Sequence, residues 1–332
     1  MTARPGPESR SQRVATHATT IAAIGALVVS GFGMVFTARS VDVAADSATA
    51  TREQVTLLRQ GQIADRFARA VDQLGSEEIN VRFGAIYSLE RLMRESPGDR
   101  DTIIQVLCGF VRQKTRKPSG GLPPAPSMPP VPRIPVMATD IQAALTVLGR
   151  RDSPEDTGYL IDLSGTDLRR ADLHDLDFNH ADFSSASLVS ARLSGARFEG
   201  AKFAGADASW SVGQSVSFRG ADLDDARLFW SSLLDADFTA ASAWSADLNH
   251  SKLTRSKLTE ADFKFAIMSD VQLFEAELGG ASFYAADLQG ARFRGSQHAE
   301  TADFSCARLE RVAGLSVGIV RPGPASDCPP GS

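Results

Sequence analysis

The sequence predicts a mainly β protein: a β-solenoid preceded by one transmembrane helix and a small helical module. Three observations carry this. From Leu163 to Phe293 every fifth residue is Leu or Phe at 23 of 27 positions, 14 Leu and nine Phe. The whole run from Val14 to Ala38 contains no Asp, Glu, Lys or Arg. Over residues 47–116 apolar residues recur at three- and four-residue spacings, the mark of amphipathic helices.

Composition narrows the function classes. The 332 residues carry 35 basic and 40 acidic side chains, net −5, with 43% hydrophobic and 23% charged residues. Those values exclude wholesale disorder and a polytopic transporter. The slightly acidic balance supplies no electrostatic reason for direct nucleic-acid binding. Cys108, Cys306 and Cys328 lie far apart and form no CxxC, which argues against a zinc ribbon, an iron–sulfur cluster and a disulfide scaffold.

Residues 1–13 form a cytoplasmic-type tail with Arg4, Arg10 and Arg13. Residues 14–38 are long enough, as a helix, to span a bilayer's hydrocarbon core, and we read them as a transmembrane helix. A secretory signal peptide is the alternative, with Val43-Ala44-Ala45 as its cleavage site. Three Arg precede the helix and two, Arg39 and Arg52, follow it, a small bias toward a cytoplasmic N-terminus. The side on which the solenoid lies stays open.

In the helical module, Leu57, Ile63, Phe67, Ala70, Val71 and Leu74 give one amphipathic face, ended by Gly75. Val81, Ala85, Ile86, Leu89 and Leu92 give a second helix, stopped at Ser96-Pro97-Gly98. Asp99 or Asp101 starts a third, with Ile103, Ile104, Leu107, Phe110 and Val111 inward. The charges here nearly cancel, which indicates a solvated surface and not a nucleic-acid groove. Cys108, on an apolar stretch, is expected to be a core residue.

Eight prolines between Pro118 and Pro135 make 117–139 an extended linker. Its overlapping PxxP matches leave a ligand role for an aromatic groove as the alternative. Residues 140–149 form a helix with Ile141, Leu145 and Leu148 on one side, expected to cover the open start of the repeat.

The repeat, 160–311, fits neither the helical period nor the strand period of 2. Two residues before these inward positions stands Ala 18 times, Ser four times and Thr once. A small and a bulky inward residue with one outward residue between them are locally extended, and the remaining polar residues turn a corner. Coils stacked at the strand spacing of roughly 4.8 Å then satisfy one another's backbone groups over a column of Leu and Phe.

Units such as ADLHD, ADFSS, ARLSG, ADLDD and ADLQG resemble the pentapeptide-repeat family. The resemblance implies a right-handed quadrilateral β-helix with four pentapeptide units to a turn. The segments RFARAVDQLGSEEINVRFGAIYSLERL, IIQVLCGFVR and DIQAALTVLGRRD resemble an arrangement in membrane-tethered actinomycete-type members of that family. On that geometry Trp210, Phe229 and Trp230 share one face, and Trp244, Phe265 and Tyr284 share the adjoining one. We read these six as a partner surface. The alternative is that Trp210 or Trp244 tucks into distortions where Ala208, Gly213 and Ala243 replace Leu or Phe.

The family's best-known activity is DNA mimicry directed at DNA gyrase. Residues 160–311 carry 15 basic and 23 acidic side chains, net −8. DNA places one charge per about 1.7 Å, roughly 20 over seven coils. The chain is thus a poor imitation, and the tail 312–332 shows no helical period of the kind that pairs the family's gyrase binders. Gly314 to Gly318 match G-x-S-x-G, but no His follows His298. His174, His180, His250 and His298 lack metal-ligand spacing. No catalytic residue, cofactor or metal is expected. The sequence therefore reads as a non-enzymatic, membrane-tethered scaffold for a protein partner, with gyrase binding as the alternative.

Overall fold

The computed structural model describes residues 49–116, 137–150, 161–315 and 328. Residues 14–38, read above as the membrane helix, and 117–136 of the linker lie outside the described residues. Among the described residues no helix is long and apolar enough to cross a membrane. Residues 1–65 and 66–332 form two compact units.

Helix α1 covers 49–74 and belongs to the second unit from Arg66 onward. Its apolar face is used only near its end. Ala70 and Leu74 are buried, whereas Leu57 and Val71, expected inward, are exposed. Helix α2 (Ile79–Glu95) buries Ala85, Ile86, Leu89 and Leu92, and exposes Val81. Helix α3 (Arg100–Thr115) follows a single 3-10 turn, Pro97–Asp99, and buries Ile103, Ile104, Leu107, Cys108, Phe110 and Val111. Helix α4 (Thr139–Gly149) is buried almost all round, because its eight buried residues meet neighbours on several sides. Arg66 pairs with Glu95 between α1 and α2, and a buried ion pair ties α2 to α4. Arg82 Nε donates to Asp140 Oδ2 at 2.7 Å, and Arg82 Nη1 donates to the carbonyls of Ser76 and Glu77 at 2.8 and 2.7 Å. Asp140 is buried, and this guanidinium pairs with one of its oxygens while the Ile141 N–H donates to the other.

The solenoid coils in register. Asp162 bridges Asp182, Asp167 bridges Ser187, and the same parallel offset continues to Glu277 and Gln297. From Ser282 and Asp303 onward it is one longer, because a 3-10 turn at Ala299–Thr301 takes up an inserted residue. Only Val212–Gln214 (β1) and Ser232–Leu234 (β2) are long enough, among the described residues, to count as strands, and they pair in parallel. Each coil turns at its corners by a bond such as Ala171 N to Leu168 O. The second residue of these corners is left-handed, and among the described residues 21 of them are not glycine. Such residues are ordinarily uncommon. Here the next coil holds them: Arg170 N donates to Val189 O, and Asp175 N to Ser194 O.

Inside, phenylalanines stack along two columns. Phe178, Phe198, Phe218 and Phe238 form one, at 5.1 to 6.1 Å between ring centroids. Phe183 and Phe203 stack beside them, and rings of the two columns meet edge to face. This geometry satisfies the aromatic quadrupoles both within and between columns. Gly213 fills an inward slot because a Cβ there would lie 2.4 Å from Val216 Cγ2.

A solenoid's first coil presents unpaired N–H groups, and here the helices accept them. Asp167 N donates to Thr115 O, Asp177 N to Gly149 O, and Asp172 N to Gln142 Oε1. Gln142 Nε2 returns a bond to Asp172 O at 2.6 Å. Gly149 is required at this junction, since a Cβ would lie 2.6 Å from Leu176 Cβ. The exposed edge is thereby covered, which prevents strand addition by another chain.

Two outcomes are expected. The hydroxyls of Ser211, Ser231 and Ser251 are buried in the small-residue slot with no hydrogen-bond partner among the described residues. Each Ser→Ala change should raise stability by about 1 kcal/mol, by removing an unsatisfied group from a slot where other coils place Ala; urea unfolding midpoints measure this. Conversely, Arg82→Met should cost about 3 kcal/mol, because it strands the buried Asp140 carboxylate. Adding Asp140→Asn should recover much of that loss in the same assay.

Candidate functional site

Stacking in register turns a sequence spacing of one coil into physical contact, and the outward aromatics show it. Trp210 lies over Trp230 at 5.4 Å with 6° between ring planes, and Trp230 lies over His250 at 4.5 Å. All three occupy the left-handed slot of one corner. The preceding corner carries Trp244, Phe265 and Tyr284, which meet edge to face at 5.8 Å. The two corners flank one face, whose outward column is Asp167, Ser187, Asp207, Arg227, Asp247, Ile267 and Asp287.

The six residues singled out in the sequence divide into three groups. Trp244 and Phe265 are exposed, at 44% and 38%. Trp210, Trp230 and Tyr284 are half-buried. Phe229 is only 7% exposed and does not belong to the surface. It precedes Trp230 at the corner, and its carbonyl accepts from Trp210 N at 3.1 Å, so the stacked indoles stand directly beside it. Small Ala208 and Ser209, both buried, leave the room that a Phe needs at this point. Sequence reasoning missed two further apolar positions. Ile267 is 42% exposed between the two aromatic corners, and Val212 is exposed on the next face. A separate apolar stripe, Ile79, Phe83 and Tyr87, runs along α2 at four-residue spacing, a signal present in the sequence.

The polar setting is acidic and locally braced. Asp224 Oδ1 accepts from Trp244 N at 3.0 Å and from Ser242 Oγ at 2.5 Å, which fixes the backbone that carries the indole. Asp207 Oδ1 accepts from Ser209 N and Oγ, and Asp247 Oδ1 accepts from Asn249 N. Burial pushes the Asp247 carboxyl above the usual carboxylate range, outweighing the Asn249 N–H that opposes it. On the other faces, cations span neighbouring coils. Arg192 pairs with Asp172, Arg197 with Asp177, and Arg219 with Asp237. Arg255 makes two bonds to Asp235, at 2.6 and 2.9 Å, and holds that carboxyl below its ordinary range.

A cleft of about 690 Å³ opens between the end of α3 and the first coils, lined by Arg112, Gln113, Arg116, Ser164, Gly165, Ser184 and Ser185. Arg112 pairs with Asp162 there. Among the described residues no group of three His, Cys, Asp or Glu is placed to hold a metal ion. Cys108 is buried in α3. The other two cysteines correct the expectation from their spacing: Cys306 and Cys328 are joined in a disulfide. Separation in sequence hid this, because the partner of Cys306 lies 22 residues away in the tail.

These features define a repeat scaffold that displays side chains in columns, and its relatives place the repeat more closely. Residues 161–188, 191–228, 231–270 and 266–297 match the pentapeptide-repeats family in eight copies, and this part of the chain belongs to it. No curated protein matches the chain. Among solved structures, HetL, a pentapeptide repeat protein involved in heterocyst differentiation regulation in the cyanobacterium Nostoc sp. strain PCC 7120, is 25% identical. The match covers 46% of this chain and 82% of HetL, with a TM-score of 0.28. Full-length QnrB1, a plasmid-mediated fluoroquinolone resistance protein, is 20% identical over 46% of this chain and 84% of its own, with a TM-score of 0.21. A third pentapeptide repeat protein, also from Nostoc PCC 7120, is 30% identical over 30% of this chain and 69% of its own, with a TM-score of 0.15.

The Asp247 carboxyl yields a pH test. Its raised value means that the folded state holds a proton the unfolded chain has released, so stability declines as pH rises from the ordinary Asp range through the raised value. Asp247→Asn should therefore raise the thermal midpoint by about 1–3 °C at pH 7. The gain should vanish at pH 3, where both states are protonated, and thermal melts across that range decide the matter.

Proposed function

We propose that this protein is a non-enzymatic, membrane-tethered scaffold whose solenoid holds a partner protein against the aromatic corners around Trp244 and Phe265. The observation that carries this is the exposure of Trp244, Phe265 and Ile267 together, on one corner and the column next to it. Aromatic residues on a rigid frame bury much area at low cost in side-chain entropy, which suits them to anchor a contact. Asp224, Asp225 and Asp247 around them favour a partner that brings Lys or Arg beside an apolar anchor, since Trp attracts cations and the carboxylates pair with them. The charge-free run 14–38 supports the membrane tether, and the proline-rich linker supports a spacer between tether and solenoid.

Gyrase binding through DNA mimicry is the weaker reading. A DNA mimic needs uncompensated rows of acids, whereas Asp172, Asp177, Asp235, Asp237, Asp262 and Asp287 each face a cation in the structure. Gyrase supercoiling in the presence of the full chain separates the two readings: no inhibition or protection is expected.

Two measurements test the leading reading. In-cell cross-linking from the full chain should recover a partner whose yield drops about tenfold or more in the Trp244→Ala, Phe265→Ala double variant, as for an interface hot spot. Phe274→Ala, at a different corner, should leave the yield unchanged. Equal loss in both variants would assign the effect to folding and not to the surface. Deleting 14–38 should move the chain out of the alkali-resistant membrane fraction.

A further inference from the structure

Which side of the membrane the solenoid occupies decides what it can meet, and the disulfide bears on that question. Cys306 occupies the left-handed corner slot of the last coils, with φ of 59°. Ala285 N donates to Ser305 O at 2.9 Å, so Ser305 and Cys306 continue the corner column of Trp244, Phe265 and Tyr284 by one coil. Cys328 joins Cys306 there, with 5.4 Å between Cα atoms, inside the range that a disulfide requires. The covalent link thus stands at the end of the aromatic corner itself.

Disulfides persist where the surroundings are oxidising and are rare where thioredoxin and glutathione keep thiols reduced. Of the three cysteines, two are paired and the third, Cys108, is buried inside α3. The basic residues flanking 14–38, three before and two after, lean toward a cytoplasmic N-terminus and hence an exported remainder. From these we infer that the solenoid and its aromatic corner work outside the cytoplasm, with Cys306 and Cys328 oxidised after export, and that the partner is a component of the cell envelope or the exterior. The tether belongs to the reading above; the oxidation state does not depend on it.

The chemistry balances with one co-reactant. The thiolate of one cysteine attacks the disulfide of an exported thiol oxidase and forms a mixed disulfide, releasing one oxidase thiol. The thiolate of the second cysteine then displaces the other oxidase sulfur. Two protons and two electrons leave the chain, one S–S bond forms in it, and the oxidase disulfide becomes a dithiol.

The test uses the full chain expressed in cells. Acid-quenched, denatured wild type should take one polyethylene-glycol maleimide, on Cys108, and three after reduction. Cys306→Ser frees Cys328 and is compatible with the fold, since Ser185 and Ser245 occupy the same corner slot in other coils. In intact cells this variant should react with a membrane-impermeant maleimide without lysis, whereas wild type should not. Three adducts on unreduced wild type, or labelling of the variant only after lysis, would overturn the inference. Alkali extraction of the same cells reports the tether separately, so a soluble chain with an intact disulfide would sink the anchor and leave the compartment standing.

Discussion

The hydrogen-bonded register between coils is the constraint on which the rest of this molecule depends. Each inward Leu or Phe donates its N–H to the coil above, as Leu163 N does to Asp182 O, and the residue before it donates to the coil below, as Asp182 N does to Ile161 O. No coil is satisfied alone, so any residue that breaks the offset disturbs two neighbours at once. That constraint explains why 21 non-glycine residues tolerate left-handed corners, and why the inserted residue near Ala299 is taken up in a 3-10 turn, after which the coils pair again at a constant offset. It also explains why the first coil needs helices at all. A coil with nothing below it has donors to place, and Thr115, Gln142 and Gly149 accept them.

The outer surface follows from the same register. A fixed offset converts sequence columns into surface columns, so a side chain's neighbours on the outside are set by residues one coil away. Trp210, Trp230 and His250 become a ring stack in this way, with their faces spent on each other and mainly their edges left to solvent. Trp244, Phe265 and Tyr284, offset between adjacent corner slots, meet edge to face instead, and Trp244 and Phe265 stay exposed. The difference between a stacked and a staggered column therefore separates the half-buried indoles of Trp210 and Trp230 from the exposed Trp244 and Phe265. Charges obey the same rule. An acid whose column neighbour is Arg or Lys is compensated locally, as Asp172, Asp177 and Asp235 are.

Much of the fold was legible in the chain, because an unbroken period of five from Leu163 to Phe293 has few physical solutions. The inward Leu and Phe and the small residues two before them follow from counting, and the vertical pairing of Trp210 with Trp230 follows once the resemblance to pentapeptide repeats supplies four units per turn. The helices were legible as apolar spacings but not in extent. Leu57, Val71 and Val81 have the right period and still face outward, since burial depends on which faces find a neighbour.

The sequence by itself determined the five-residue period and its inward Leu and Phe, because only a coiled, extended chain buries that pattern; the resemblance to pentapeptide repeats supplied the four units per turn that set the columns. Only the tertiary structure decided which members of those columns are covered. Phe229 is buried, and Ile267 is exposed although Ser187 and Asp207 of the same column are buried. The disulfide between Cys306 and Cys328 was equally out of reach of spacing. It joins a corner of the repeat to a point beyond it, and only coordinates bring two such sulfurs together.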